Sequence, residues 1–253
     1  MAAPIRNQFW KVALRANLLQ ATWNFERQQG LGWAFALQPV LKALYPDAAT
    51  RRERLAEHTA YFNTQPTLAS LALGAVAKLE ELRSRGEGPD AASMGRMKGV
   101  LGSTLAALGD RLFWFSLRPF AASLGVLVAL ARPESPAGAI VLWCAYALPH
   151  LGMRHVGVSL GYERGASVLG GRLRGDLENA VTLLAYAGCI TLGVATAVAL
   201  APGGEPRSIA VQSALAGGLG IGLLSAQRAR PSPTQWALGM GVLGIVAAWQ
   251  RLG

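Results

Sequence analysis

Apolar residues recur at spacings of three and four through residues 5–30. Phe9, Trp10, Val12, Ala13, Ala16, Leu19, Trp23 and Phe25 alternate with Arg6, Lys11, Arg15, Asn17, Gln20 and Arg27. That spacing predicts a helix with one apolar side. Aromatics opposite Lys and Arg suit a helix lying on an anionic membrane surface, or one packed on its own domain. Gly30 and Gly32 loosen the chain before an apolar stretch over 33–44. Tyr45-Pro46-Asp47 signals a turn, and Asp47 or Thr50 can cap the helix that follows. Residues 51–61 carry Arg51, Arg52, Glu53, Arg54 and Glu57 on a wet face, and Asn63-Thr64-Gln65-Pro66 ends them. Residues 67–85 read as a helix, apolar first and charged at its end. Gly86-Glu87-Gly88-Pro89-Asp90 is the clearest loop in the chain.

Beyond residue 98 the pattern changes. Windows without any charge cover 135–153, 179–204, 208–227 and 231–250. Roughly 20 apolar residues make a helix long enough for the hydrocarbon core of a bilayer. Four such windows in succession predict a membrane-embedded part over 99–253, joined to an amphipathic, cytoplasm-facing helical part over 1–98. Between them, 112–131 is apolar but holds Arg118-Pro119 near its middle. A charge there faces protein or a wet cavity, and proline removes a backbone donor. A broken or re-entrant segment is expected across 99–131. Simple spans are expected over 180–201, 209–226 and 236–249. Arg228 and Arg230 place their short loop in the cytoplasm, and the 202–206 loop outside. The fold class is all-α, a polytopic membrane protein with a cytoplasmic N-terminus.

Composition sharpens this picture. The chain is 52% hydrophobic and only 15% charged, with a net charge of +10, so the cations need an explanation. Residues 1–100 hold 13 of the 24 Lys+Arg, and the rest fall largely in short loops. No nucleic-acid motif gathers them on one face, so nucleic acid is not an expected partner. Cys144 and Cys189 lie in apolar windows and read as core residues. Met1 to Arg15 have no uninterrupted apolar core, so no secretory signal is expected.

No phosphate-binding loop, metal-ligand spacing or serine elbow is present, and His58, His150 and His155 are scattered. No catalytic residue, metal or cofactor is therefore expected. Polar residues instead gather where apolar segments break. These are Asn24, Glu26 and Arg27; Asn63 and Gln65; and Asp110, Trp114 and Arg118. Amides and carboxylates beside aromatic rings suit sugar hydroxyls and the apolar face of a pyranose. Broken membrane segments are also where transporters place binding sites. The alternative is that Asp110 pairs with Arg118 while Asn63 and Gln65 cap helix ends.

The run Asn17-Leu18-Leu19-Gln20-Ala21-Thr22-Trp23-Asn24-Phe25-Glu26-Arg27-Gln28-Gln29 resembles the opening signature of the IID membrane component of the mannose/fructose/sorbose class of the bacterial sugar phosphotransferase system. Tyr45-Pro46, Phe62-Asn63-Thr64-Gln65-Pro66, Leu79-Glu80-Glu81, Leu108-Gly109-Asp110, Phe113-Trp114, Leu117-Arg118-Pro119 and Gly161-Tyr162 follow in that family's order. The resemblance implies an inner-membrane subunit that forms a sugar path with component IIC, for a mannose-type hexose. Soluble IIA and IIB relay phosphate to the sugar, and IID carries no phosphohistidine. It implies homo- and hetero-oligomers in contact with membrane lipid. Among the polar residues at the breaks, Asn63, Gln65, Asp110, Trp114 and Arg118 are the candidate sugar contacts. Asn24, Glu26, Arg27, Glu80 and Glu81 are expected as structural or partner-contact residues. Arg111 stands where the family has a small residue or proline, and Phe115 follows Phe113-Trp114 where the family has glycine. Those departures leave a second reading open: a non-transporting regulatory or scaffolding subunit of an incomplete system.

Overall fold

Helix α4 (Ala69–Ser84) is the centre of the fold. Its residues 69–77 are buried without interruption, as an evenly apolar helix requires. The computed structural model describes residues 5–199, which are helical apart from connecting turns. Around α4 come α1 (Phe9–Ala16), α2 (Gly30–Leu44), α3 (Ala48–His58) and α5 (Ala91–Gly109). A π-helical stretch (Asp110–Leu117), α6 (Arg118–Ala131), α7 (Ala137–Arg164) and α8 (Gly171–Ala199) follow.

The helix starts obey local chemistry. Asp47 caps α3 by accepting from the Thr50 backbone N–H at 2.7 Å, and Asp90 caps α5 through Ser93 at 2.7 Å. The helix expected across 5–30 is shorter. It stops at Ala16, where the Asn17 side-chain amide donates to the Ala13 and Leu14 carbonyls. Beyond it the chain turns, and Gln28 takes a left-handed backbone (φ 52°) that no α-helix contains.

The chain divides into two compact units. The first holds, of the described residues, 5–114 and 147–180. Within it α4 crosses α7 at backbone distance. Gly74 faces the Val158 carbonyl, Gly161 faces the Leu71 carbonyl, and Gly157 sits on the Ser70 hydroxyl. A Cβ at any of these three would strike its neighbour, so Gly157-x-x-x-Gly161 is a small-residue helix contact. Arg154, also on α7, donates to the Ala16 carbonyl at 3.1 Å and ties α7 to the end of α1.

The second unit holds, of the described residues, 115–146 and 181–199. Gly125 on α6 and Gly138 on α7 meet closely, and the Ser123 and Thr191 hydroxyls lie 2.5 Å apart. Small residues plus a polar tie are the packing habit of helices in lipid. Ile140, Trp143, Leu183, Ile190 and Leu192 are exposed on this unit, an apolar surface suited to lipid rather than water.

Two helical stretches among the described residues are long and apolar enough to cross a membrane: 91–131 and 167–196. The break expected over 99–131 takes another form. The backbone stays helical, and its irregularity is the π-helical stretch immediately ahead of Arg118-Pro119. A proline ring collides with the carbonyl four residues before it in an α-helix, and the wider π turn relieves that collision. The expected spans at 209–226 and 236–249, and the 202–206 loop, lie outside the described residues.

Candidate functional site

Two of the motifs converge through backbone pairing. Asn24 bridges Gln28, and Gln28 in turn bridges Phe62. The Asn24 Oδ1 accepts from the Arg27 N–H at 2.8 Å, which forms the turn. The buried Gln29 side chain then behaves like a piece of strand. Its Nε2 donates to the Thr64 carbonyl at 2.7 Å, and its Oε1 accepts from the Thr64 N–H at 3.0 Å. This fixes the segment carrying Asn63. Gln29 and Thr64 are absent from the expected site, although both lie inside the quoted motifs. Glu26 lies exposed at the same junction, and Arg27 reaches the Thr59 hydroxyl at 3.4 Å.

Asn63 is exposed and lines a cavity of about 240 Å³ with Tyr61, Phe62, Lys98 and Ser103. An amide, two hydroxyls and an ammonium beside an aromatic ring can exchange hydrogen bonds with a polyhydroxyl ligand. Gln65 is placed differently. Its side chain is buried, its Oε1 accepts from Thr67 N at 2.8 Å and Leu68 N at 3.1 Å, and its Nε2 reaches the Thr67 hydroxyl at 3.4 Å. It satisfies backbone groups at the start of α4 rather than facing a cavity. Gly109 packs directly on the Gln65 side chain, which brings the Leu108-Gly109-Asp110 motif to the same place.

Asp110 is half-buried; its backbone N–H continues α5 by donating to the Ala106 carbonyl, and its side chain makes no hydrogen bond or ion pair with the described residues. Phe113 lies edge-on to the His150 ring at 5.7 Å, and the His150 Nδ1 is 2.7 Å from the Thr67 hydroxyl. Trp114 is 42% exposed. Arg118 is exposed at the start of α6 in the other unit. The first unit thus brings Asn63, Gln65 and the Gly109-Asp110 corner together.

Glu80 and Glu81 both turn inward. Glu80 is 0% exposed, and its Oε1 lies 3.2 Å from the His58 Nε2 while its Oε2 accepts from the Tyr45 hydroxyl at 2.7 Å. Arg83 reaches Glu80 at 3.4 Å and binds Glu57 with both terminal nitrogens. Glu81 accepts from Tyr162 at 2.5 Å and Lys78 at 3.0 Å. Glu80 is therefore structural, with no surface to offer a partner.

This network assigns a tautomer. The Trp33 indole can only donate, and its Nε1 points at the His58 Nδ1 at 3.4 Å. The ring proton then sits on Nε2 and is donated to Glu80. An imidazolium would set one N–H against another. Burial holds the His58 imidazole below its ordinary range, against the pull of Glu80. Burial pushes Glu80 upward, but the hydrogen bonds from His58 and Tyr45 and the Arg83 charge outweigh it, leaving Glu80 below the ordinary range.

A pH dependence follows. As pH falls through about 6.5 the unfolded imidazole takes up a proton before the folded one, so stability drops. Below the carboxylate range Glu80 adds a second loss, because its folded pKa is the lower one. The unfolding midpoint of the purified chain in detergent should decline from pH 7 to 5, and His58→Gln should flatten that slope. A level profile in the parent chain would contradict the neutral assignment.

Comparison with known proteins places these motifs. Residues 5–201 match the model of the phosphotransferase-system mannose/fructose/sorbose family IID component. The mannose-specific EIID component of Escherichia coli (strain K12) is 37% identical over 159 residues, 62% of this chain and 56% of that relative. The sorbose-specific EIID component of Klebsiella pneumoniae is 34% identical over 72% of this chain and 65% of its own length. These alignments thus span under two thirds of those relatives' lengths. A chain of the cryo-EM structure of the mannose transporter ManYZ with microcin E492 superposes with a TM-score of 0.61 at 27% identity. That superposition covers 98% of this chain and 97% of the other.

Proposed function

Because the chain belongs to the mannose/fructose/sorbose family of phosphotransferase-system IID components, we propose that it is the IID subunit of a phosphoenolpyruvate-dependent sugar permease. In this reading it forms, with a IIC subunit, the path for a mannose-type hexose that soluble IIA and IIB phosphorylate on arrival. The observation that carries it is the likeness to a mannose-transporter chain over 98% of the sequence. The apolar exterior of the second unit supports a multi-pass membrane location. The cation-bearing loops favour a cytoplasmic N-terminus, with residues 1–98 open to IIB and 99–253 in the bilayer. The chain supplies binding and orientation, and holds no phosphorylated residue of its own.

Asn63 and Asp110 are assigned to the hexose path, since each is exposed or half-buried with hydrogen-bonding capacity to spare. Trp114 supplies an exposed ring to the same task, and the exposed guanidinium of Arg118 is a separate candidate sugar contact on the second unit. Gln65 is a positioning residue that holds Asn63 through the start of α4. Asn24 and Arg27 hold the junction from the other side, and exposed Glu26 is left for a partner subunit.

The test is labelled-hexose uptake in cells that carry the chain with its IIC, IIA and IIB partners. Loss of one hydrogen bond to a sugar should lower uptake on the order of tenfold for Asn63→Ala and for Asp110→Ala, with membrane levels of the chain unchanged. Uptake equal to the parent in both variants would remove these two residues from the path.

A further inference from the structure

A second cavity lies away from Asn63 and has no part in the proposed hexose path. About 140 Å³ in volume, it is bounded by α5, the first turn of the π-helical stretch, the 165–169 turn and the start of α8. All of its lining falls within the first compact unit. Leu105, Leu108, Val168 and Leu177 form apolar walls and are themselves buried. Arg111, Arg174 and Glu178 supply the charge. The Arg174 Nε donates to Glu178 at 2.9 Å, one turn along α8.

Three features point to one ligand chemistry. Two guanidinium groups against one carboxylate leave the cavity positive, and guanidinium is the side chain best matched to phosphate oxygens. The walls are apolar, so a bare ion would leave most of the cavity unsatisfied. The helices on either side belong to the two stretches long and apolar enough to cross a bilayer. Basic pockets between such helices meet phospholipid headgroups, with acyl chains continuing along the apolar helix surface.

We infer that this cavity binds the phosphate of an anionic phospholipid, held by Arg111 and Arg174, with the ester end of its chains against the leucine walls. Arg111, which departs from the family pattern, gives this chain a lipid contact. The volume takes a phosphodiester group and not a whole lipid. Glu178 competes with the anion for the Arg174 guanidinium and opposes its charge, so it sets an upper limit on affinity.

The full chain, purified with its IIC partner in neutral detergent, can be titrated with phosphatidylglycerol or phosphatidylcholine and weighed by native mass spectrometry. The parent should retain phosphatidylglycerol in preference to phosphatidylcholine. Arg111→Gln combined with Arg174→Gln should weaken that retention on the order of tenfold and abolish the preference. Glu178→Gln should strengthen it, a gain that misfolding cannot mimic. Inorganic phosphate separates the sources. Displacement of the lipid by phosphate means the headgroup chemistry alone suffices, and resistance means the chains are required; the phosphate site stands in either case. Parent-like retention in a folded double variant, or weaker retention in Glu178→Gln, would overturn the assignment.

Discussion

Glu80→Ala is expected to cost several kcal/mol, since each buried donor left without an acceptor costs about 1–3 kcal/mol. The residue is wholly buried, and three groups depend on it. His58 Nε2, the Tyr45 hydroxyl and part of the Arg83 guanidinium would lose their acceptor. Bulk water does not reach these groups, because His58 is also 0% exposed. The loss is large beside a total stability of about 5–15 kcal/mol. Glu80→Gln keeps an acceptor oxygen for His58 or Tyr45 while leaving Arg83 with Glu57, so its cost should be smaller. Thermal unfolding in detergent, read beside the monodisperse fraction on gel filtration, distinguishes the two. An unchanged midpoint in Glu80→Ala would show that the network is dispensable.

Gly161→Val should be comparably severe for a different reason. The Gly161 Cα hydrogen faces the Leu71 backbone carbonyl, and a Cβ there would also meet the Leu71 Cα. Backbone cannot move aside as the end of a side chain can. Overpacking costs about 1–3 kcal/mol when side chains can adjust, and this site should exceed that range. Separation of α7 from α4 would also release the Ser70 hydroxyl from the Met153 carbonyl, which it now meets at 3.1 Å. Gly152 on the same helix has open space where a Cβ would go, so Gly152→Ala is the matched control. The expected result is loss of folded chain from the membrane fraction for Gly161→Val and normal levels for Gly152→Ala. Equal levels would mean that the helix crossing is not the constraint.

Local chemistry made much of the helical layout readable. The Asp47 turn, the Pro66 break and the 86–90 loop mark boundaries that the structure keeps, because capping and proline act within a few residues. The end of α1 at Ala16 was hidden, since the three-and-four spacing runs on to Phe25 while Asn17 and Gln28 turn the backbone. The π-helical stretch shows the same limit. Arg118-Pro119 announces a disturbance, but the choice between breaking the helix and widening it depends on neighbouring packing. The inward turn of Glu80 was invisible for a related reason. Its partner His58 is 22 positions away, and an acid in a charged helix end reads as solvent-facing until that partner is placed. Gln29 and Thr64, 35 positions apart, pair only once the two motifs are folded together. The cavity at Arg111 likewise draws its second cation from Arg174, far along the chain.

Hexose uptake dependent on this chain is the most direct measurement of its role. A bacterial strain stripped of its own mannose entry routes, carrying the matching IIC, IIA and IIB components, should accumulate no labelled sugar phosphate. Adding this chain should restore accumulation of mannose as its phosphate ester. No accumulation, with the chain present in the membrane and bound to IIC, would contradict a transport role and leave a scaffolding subunit in its place.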